Sequence, residues 1–160
     1  MQAVTYAEKQ PEYFALARRE IGPLLPEKMD HVLEVGCGAG GTLSWLKASR
    51  SVSYAAGVEL MPSAAERARA VCDEIVVGDV ERVTLPFAPG SFDLILALDV
   101  LEHLVDPWSA VRRLHGLLRP GGYLIASVPN VAHYSVSLPL LRGRWNYVRS
   151  GILDGTHLRF

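Results

Sequence analysis

Residues 31 to 41 read H-V-L-E-V-G-C-G-A-G-G. An apolar run (Val32, Leu33, Val35) carries one acid, Glu34, and breaks at once into Gly36, Gly38, Gly40 and Gly41. A short apolar run is how a strand buried on both faces of a parallel sheet reads. Glycines at its carboxyl end allow a ligand to approach main chain that a Cβ would shield. In open α/β sheets, ligands bind in the crevice at that end of the strands. The loop alone does not fix which ligand. Gly36, Gly38 and Gly41 satisfy G-x-G-x-x-G, the dinucleotide pattern. Glu34 with Gly36, Gly38 and Gly40 satisfies E-x-G-x-G-x-G, a different one. Glu59 ends the next apolar stretch, roughly 20 residues past the glycines, where an acid holds a ribose diol. That feature suits NAD and any other adenosine ligand equally.

Outward from this loop the chain alternates strand and helix. Phe14, Ala17, Ile21 and Leu24/Leu25 mark one face of a helix over 11–25, ended by Pro23 and Pro26. Strands are predicted at 31–35, 54–58, 74–77, 92–98 and 123–128. A helix over 41–49 turns Leu43 and Leu46 inward. Another opens at Ser63, with Glu66 at capping-box spacing, and runs to about Cys72. Asp106-Pro107 reads as an N-cap followed by proline at the first helical position. The helix it starts buries Trp108, Val111, Leu114 or His115, and Leu118, and Pro120-Gly121-Gly122 ends it. Such alternation predicts a parallel sheet with right-handed crossovers and helices on both faces. Residues 131–160 break the rhythm and read as loop without a strand.

Length and composition fit one globular domain: 160 residues, 49% apolar and 21% charged. A net charge of −1 provides no global field to draw in nucleic acid or an anionic membrane. No apolar run reaches the ~18 residues a membrane span needs, and the polar first ten residues lack a signal-peptide core. Cys37 and Cys72 form neither a disulfide framework nor a metal pair, so a reducing cytoplasm is the economical location. The acids and histidines show no recognisable ligand spacing, so no metal is expected.

Five motifs then line up in order: E-V-G-C-G-A-G after the first strand, G-V-E-L after the second, G-D-V-E after the third, S-F-D-L-I-L-A-L-D-V-L-E-H-L across the fourth, and L-R-P-G-G-Y-L-I-A-S-V-P-N into the fifth. Together, over residues 31–130, they resemble a class I S-adenosylmethionine-dependent methyltransferase of the bacterial small-molecule type. The NAD pattern predicts neither the acid before the first glycine, nor G-D-V, nor D-V-L-E-H. The resemblance implies a Rossmann-like doubly wound α/β fold with about five parallel strands, preceded by a helical segment (1–30) and followed by an incomplete substrate-side region (131–160). It implies S-adenosylmethionine as cofactor and S-adenosylhomocysteine as product. Gly36, Cys37, Gly38 and Gly40 would lie against the methionine and ribose portions, Glu59 would accept from both ribose hydroxyls, and Leu60 would pack on adenine. Asp79 would accept the adenine amino proton and the Val80 N–H would reach a ring nitrogen. Ala97 and Leu98 would lie beside the methionine chain, and Glu34 would order the loop from behind.

Methyl transfer from a sulfonium chiefly requires the acceptor to be held close and in line, with a base where the acceptor is a hydroxyl or a protonated amine. His103 is the candidate base. Asp99, Glu102, Asn130, His133 and Tyr134 share its rim, and His157 in T-H-L-R-F reads as structural or substrate-side. Arg142, Arg144 and Arg149 around Trp145 read as a loop, an interface or an anion contact. The expected acceptor is a small molecule. A protein or nucleic-acid methyltransferase and a non-catalytic cofactor-binding domain are the alternatives. The family's sheet normally continues into an antiparallel hairpin beside strand five, which this chain lacks; a truncated chain is the expectation. The bare strand-five edge is then expected to be covered by residues 131–160 or by a second copy in a homodimer.

Overall fold

The computed structural model describes residues 14–159. Five strands form one all-parallel sheet in the order β3-β2-β1-β4-β5. They are β1 (His31–Val35), β2 (Tyr54–Glu59), β3 (Glu74–Val77), β4 (Phe92–Leu98) and β5 (Leu118–Ser127). β1 lies at the centre, between β2 and β4, with Leu33 opposite both Ala56 and Ile95. The apolar runs of β1, β2 and β4 form central strands because both of their faces are covered. Alternate residues of these strands feed two cores. Val32, Ala55, Leu94 and Leu96 pack with Leu43 and Leu46 of α1 (Gly41–Ser49) and Ala68 of α2 (Pro62–Ala68). Leu33, Val35, Ala56, Val58 and Ile95 pack with Ala110 and Leu114 of α3 (Pro107–His115). This is the doubly wound arrangement, and the strand boundaries agree with the sequence within a residue except in β5.

At the base of the sheet Asp93, 4% exposed, accepts from the backbone N–H groups of Asp30 (2.6 Å) and His31 (2.8 Å). It thereby fastens the start of β1 to β4. Asp106 caps α3 as expected, accepting from Ser109 N–H at 3.1 Å with Pro107 in the first turn.

Several expectations are corrected. In the described part of the 11–25 helix, Phe14 and Ala15 are in 3-10 conformation, residues 16–18 are irregular, and a 3-10 helix covers Arg19–Leu24; Pro23 removes a donor that an α-helix would need. Residues 11–13 lie outside the described residues. Met61, not Ser63, is the N-cap of α2. Pro62 takes the first helical position, no side chain caps the end, and the helix stops at Ala68. Trp108 is 72% exposed, because the buried stripe of α3 runs through Pro107, Ala110 and Leu114 instead. Pro120-Gly121-Gly122 lies within β5 rather than ahead of it. Phe92 pairs with Leu118, and regular pairing resumes only at Leu94 with Tyr123, so the intervening residues bulge from the ladder.

The 131–160 segment contains a helix, α4 (Tyr134–Leu140), despite Pro139 in its last turn. It does not cover the β5 edge. Leu158 N–H donates to the Glu102 carbonyl at 2.8 Å and the Arg159 guanidinium to the Leu104 and Val105 carbonyls. The tail therefore folds onto the β4–α3 connection, where main-chain carbonyls need donors. Among the described residues no strand pairs with the outer edge of β5, and no helix is long and apolar enough to cross a membrane.

Candidate active site

The carboxyl ends of the strands open into one cleft of about 330 Å³, within the size range of small-molecule sites (about 300–1,000 Å³). Glu34 of β1 lines it, as do Gly36, Cys37 and Gly38 of the following loop. β2 delivers Glu59 and Leu60, the exit of β3 delivers Asp79 and Val80, and the exit of β4 delivers Leu98 and His103. Ten of these side chains or glycines are those the sequence singled out. Gly40 and Ala97 are not in the cleft wall. Gly40 is the N-cap of α1, at φ 81°, and serves the helix start. Ala97 is fully buried in the ladder between Val35 and Ala126.

The loop is held by main-chain geometry and by one acid. Gly36 N–H donates to the Val58 carbonyl at 2.8 Å. The two oxygens of Glu59 accept from Gly38 N–H and Met61 N–H, each at 2.8 Å. A carboxylate has about four acceptor sites, so Glu59 braces the loop and retains capacity toward the cleft. Gly38 (φ 56°) has a second reason to be glycine. A Cβ there would stand 2.4 Å from the Phe14 carbonyl oxygen, and one at Gly41 would stand 2.6 Å from that of Ala15. The glycines thus make room for the chain's own N-terminal segment, which is tied down by Ala39 N–H donating to Phe14 O at 2.7 Å.

That segment brings in residues missed in the sequence. Phe14, Leu16 and Arg18 line the cleft. Arg18 pairs with Asp99 and with Glu20. Asp99 is the one non-glycine described residue with positive φ (54°). Ser127 holds it there, its hydroxyl donating to the carboxylate at 2.6 Å and accepting from the Asp99 N–H at 2.9 Å. Asp79 plays two parts. It lines the cleft, and its Oδ1 accepts from Glu81 N–H at 2.9 Å, closing the turn after β3.

Glu34 is 3% exposed, and its Oε2 is buried without a hydrogen-bond partner. Burial pushes its pKa up to about 8, opposed by the Thr42 hydroxyl. It touches no loop N–H among the hydrogen bonds described, so it orders the site less directly than the resemblance implied. Cys37 turns into the core against Gly57, where a Cβ would come within 2.5 Å of its sulfur. The Cys72 thiol and burial together push the Cys37 thiol up.

Residues 33–126, more than half the chain, match the family described as "Methyltransferase domain". The chain belongs to that family. A ubiquinone biosynthesis O-methyltransferase from Pseudomonas paraeruginosa is 37% identical over 105 residues, 62% of this chain and 44% of the relative. A 27-O-demethylrifamycin SV methyltransferase from Amycolatopsis mediterranei is 33% identical over 68% of this chain and 42% of its own length. The chain spans about half the length of the curated relatives it matches. A crystal structure of a SAM-dependent methyltransferase from Thermotoga maritima, described as a possible histamine N-methyltransferase, superposes with a TM-score of 0.60 at 27% identity, covering 76% of this chain and 54% of that one.

In this methyltransferase domain, His103 sits in a 3-10 turn (Leu101–His103) after β4 and lines the cleft. Its Nδ1 lies 3.1 Å from the Thr156 carbonyl. Its ring meets that of His157 edge-on at 4.7 Å. Glu102, 3% exposed, points away from the cleft; burial pushes its pKa up to about 7. Asn130, His133 and Tyr134 do not reach the cleft. His133 instead caps α4, accepting from Ser135 N–H. Arg142, Arg144 and Arg149 are exposed and also stand apart from it.

Proposed function

We propose that this chain binds S-adenosylmethionine in the cleft and transfers its methyl group to the oxygen or nitrogen of a small-molecule acceptor. The observation that carries the reading is convergence: Glu34, the Gly36–Gly38 loop, Glu59, Asp79 and His103 come from four strand ends and line one cavity. The residues fit the cofactor. Glu34 presents a buried, unpartnered oxygen beside the loop, which suits the cationic methionine end. Glu59 keeps lone pairs for a sugar diol, and Asp79 with Val80 supplies an acceptor and a main-chain donor for a base edge. The bound cofactor supplies an activated methyl on a sulfonium.

The protein's own work is positioning and proton handling. Gly36 and Gly38 keep the loop close, Glu59 fixes its path, and the Phe14–Arg18 segment closes one side against water. His103 is the base for a hydroxyl acceptor. A carbonyl can only accept, so Nδ1 carries the hydrogen toward Thr156 O and Nε2 keeps the lone pair. The names of the curated relatives support a small-molecule acceptor. We further propose that a second copy covers the open β5 edge. The functional test is transfer of a labelled methyl group across a panel of phenols, other alcohols and amines. Turnover on a phenol that falls 10²-fold or more in His103→Ala, with cofactor affinity retained, is expected. Undiminished turnover in that variant removes His103 as the base.

A further inference from the structure

The glycine loop meets the exit of α2 through two thiols. Cys37 belongs to the loop, but its side chain turns away from the cleft. The residue is 5% exposed, and its sulfur lies over Gly57 of β2, beside Ile75 of β3. Cys72 follows α2 just ahead of β3 and packs, half-buried, against the same core cluster. The two segments touch at a second point, where a Cβ at Gly40 would stand 3.4 Å from the Val71 Cβ and 3.6 Å from Ala68. The two thiols hydrogen-bond to each other. They are the chain's two cysteines, and both are free. Neither sulfur has a part in the methyl transfer proposed above.

Their surroundings differ as those of a reactive thiol and its resolving partner do. Lys47 Nζ donates to the Val71 carbonyl at 3.2 Å and to Asp73 Oδ2 at 2.9 Å, so its ammonium spans the residues on either side of Cys72. The hydrogen bond from Cys37, and after it this ammonium, hold the Cys72 thiol below its ordinary range against the effect of burial. Cys37 is pushed the other way and keeps its proton. A partly exposed cysteine with thiolate character, set against a second cysteine, is the arrangement that peroxides oxidise reversibly. We propose that Cys37 and Cys72 form a reversible oxidation site, at which hydrogen peroxide converts Cys72 to a sulfenic acid and Cys37 then closes a disulfide. In the first step the Cys72 thiolate takes one peroxide oxygen, the O–O bond breaks, and the other oxygen leaves as hydroxide and is protonated to water. In the second the Cys37 sulfur attacks the Cys72 sulfur, the S–O bond breaks, and the departing hydroxide takes the Cys37 proton. Two thiols and one hydrogen peroxide thus give one disulfide and two waters. The two electrons lost by sulfur are gained by the peroxide oxygens. A thiol reductant reverses the reaction by exchange.

The disulfide acts on the cleft through the loop. Cys37 stands between Gly36, whose N–H is held by the Val58 carbonyl, and Gly38, whose N–H is held by Glu59. Its thiol hydrogen is shared with the Gly38 carbonyl, 3.8 Å from the sulfur. Bonded sulfurs stand far closer than two thiols in contact. Oxidation therefore draws Cys37 toward the exit of α2, removes that hydrogen, and shifts Gly38 from its place on Glu59. Resting on the cofactor site proposed above, the oxidised chain binds S-adenosylmethionine more weakly. Spacing hid the pair, because the two cysteines lie in separate crossovers of the sheet.

The test is treatment of the cofactor-free chain with a small excess of hydrogen peroxide, followed by thiol titration and mass mapping of its peptides. Loss of both free thiols, a mass lower by two hydrogens and a peptide pair joined through Cys37 and Cys72 are expected, all reversed by dithiothreitol. Calorimetry should then show S-adenosylmethionine bound at least ~10-fold more weakly by the oxidised chain than by the reduced one. Peroxide should leave the affinity of Cys72→Ser unchanged. Cys72→Ala should behave alike, with circular dichroism confirming that each variant folds. Two free thiols after treatment, Cys72 carried on to a sulfinic acid beside a reduced Cys37, or disulfides formed only between chains overturn the site. Linkage with unchanged affinity overturns its effect on the loop. The mapping needs no cofactor, so failure of the cysteine pair and failure of the proposed activity are told apart.

Discussion

At the residue scale, the cleft depends on acids in unlike environments. Glu59 is buried yet accepts two backbone N–H groups, so its side chain is held in place. Glu34 is buried with one oxygen unpartnered and is held largely protonated near neutrality, with a pKa of about 8 against an ordinary value of 4.5. The linkage has a definite sign. The folded state holds the Glu34 proton more tightly than the unfolded chain, so its contribution is fully present below pH 4.5 and is lost as pH rises to about 8. Chemical denaturation between pH 5 and 9 should show stability falling across that window in the ligand-free chain. Glu34→Gln should flatten the fall, by on the order of a few kcal/mol at pH 9. An equal slope in both proteins would show that Glu34 ionises without cost. A cationic ligand should draw that proton off, so binding heats of S-adenosylmethionine should differ between buffers of different ionisation enthalpy in the wild type but not in Glu34→Gln.

At the element scale, the glycine loop is shaped as much by the protein as by any ligand. A side chain at position 38 would collide with the Phe14 carbonyl and strain a positive φ. Gly38→Ala should therefore lower stability by about 1–3 kcal/mol and displace the Phe14–Arg18 segment, read as a lower Tm and faster proteolysis near residue 18. A Tm within a degree of wild type would mean that the segment does not press on the loop. Asp106→Ala should cost about 1 kcal/mol through its lost cap on α3, measured by urea denaturation; no change would make the cap ornamental. The strands were legible because β1, β2 and β4 are short apolar runs closed by glycine or acid. The N-terminal segment was not: Phe14, Ala17 and Ile21 fit a helical period, but Pro23 and packing across the loop prevail over local pattern. Trp108 misled for a related reason. A large aromatic near an N-cap suggests burial, whereas the sheet takes the stripe through Ala110 and Leu114.

At the scale of the whole molecule, the parallel sheet and the cleft position follow from alternation, because parallel strands joined by helices leave their carboxyl ends on one rim. The contacts that alternation cannot reveal are those between segments far apart in the chain. Arg18 with Asp99, and the 154–159 tail with Glu102 and Leu104, belong to this class, and both meet the chain where it leaves β4. The β5 edge is open among the described residues, with Tyr123 and Val128 exposed. Light scattering should report a dimer that a charged residue at Tyr123 or a proline at Ala126 dissociates; a monomer at high micromolar concentration would contradict pairing through that edge. The most direct test of the central claim is calorimetric titration of this chain with S-adenosylmethionine, beside NAD and beside Glu59→Ala. One saturable site for S-adenosylmethionine, weakened at least ~10-fold by the substitution and indifferent to NAD, is the predicted result; no binding, or affinity unchanged without Glu59, would contradict it.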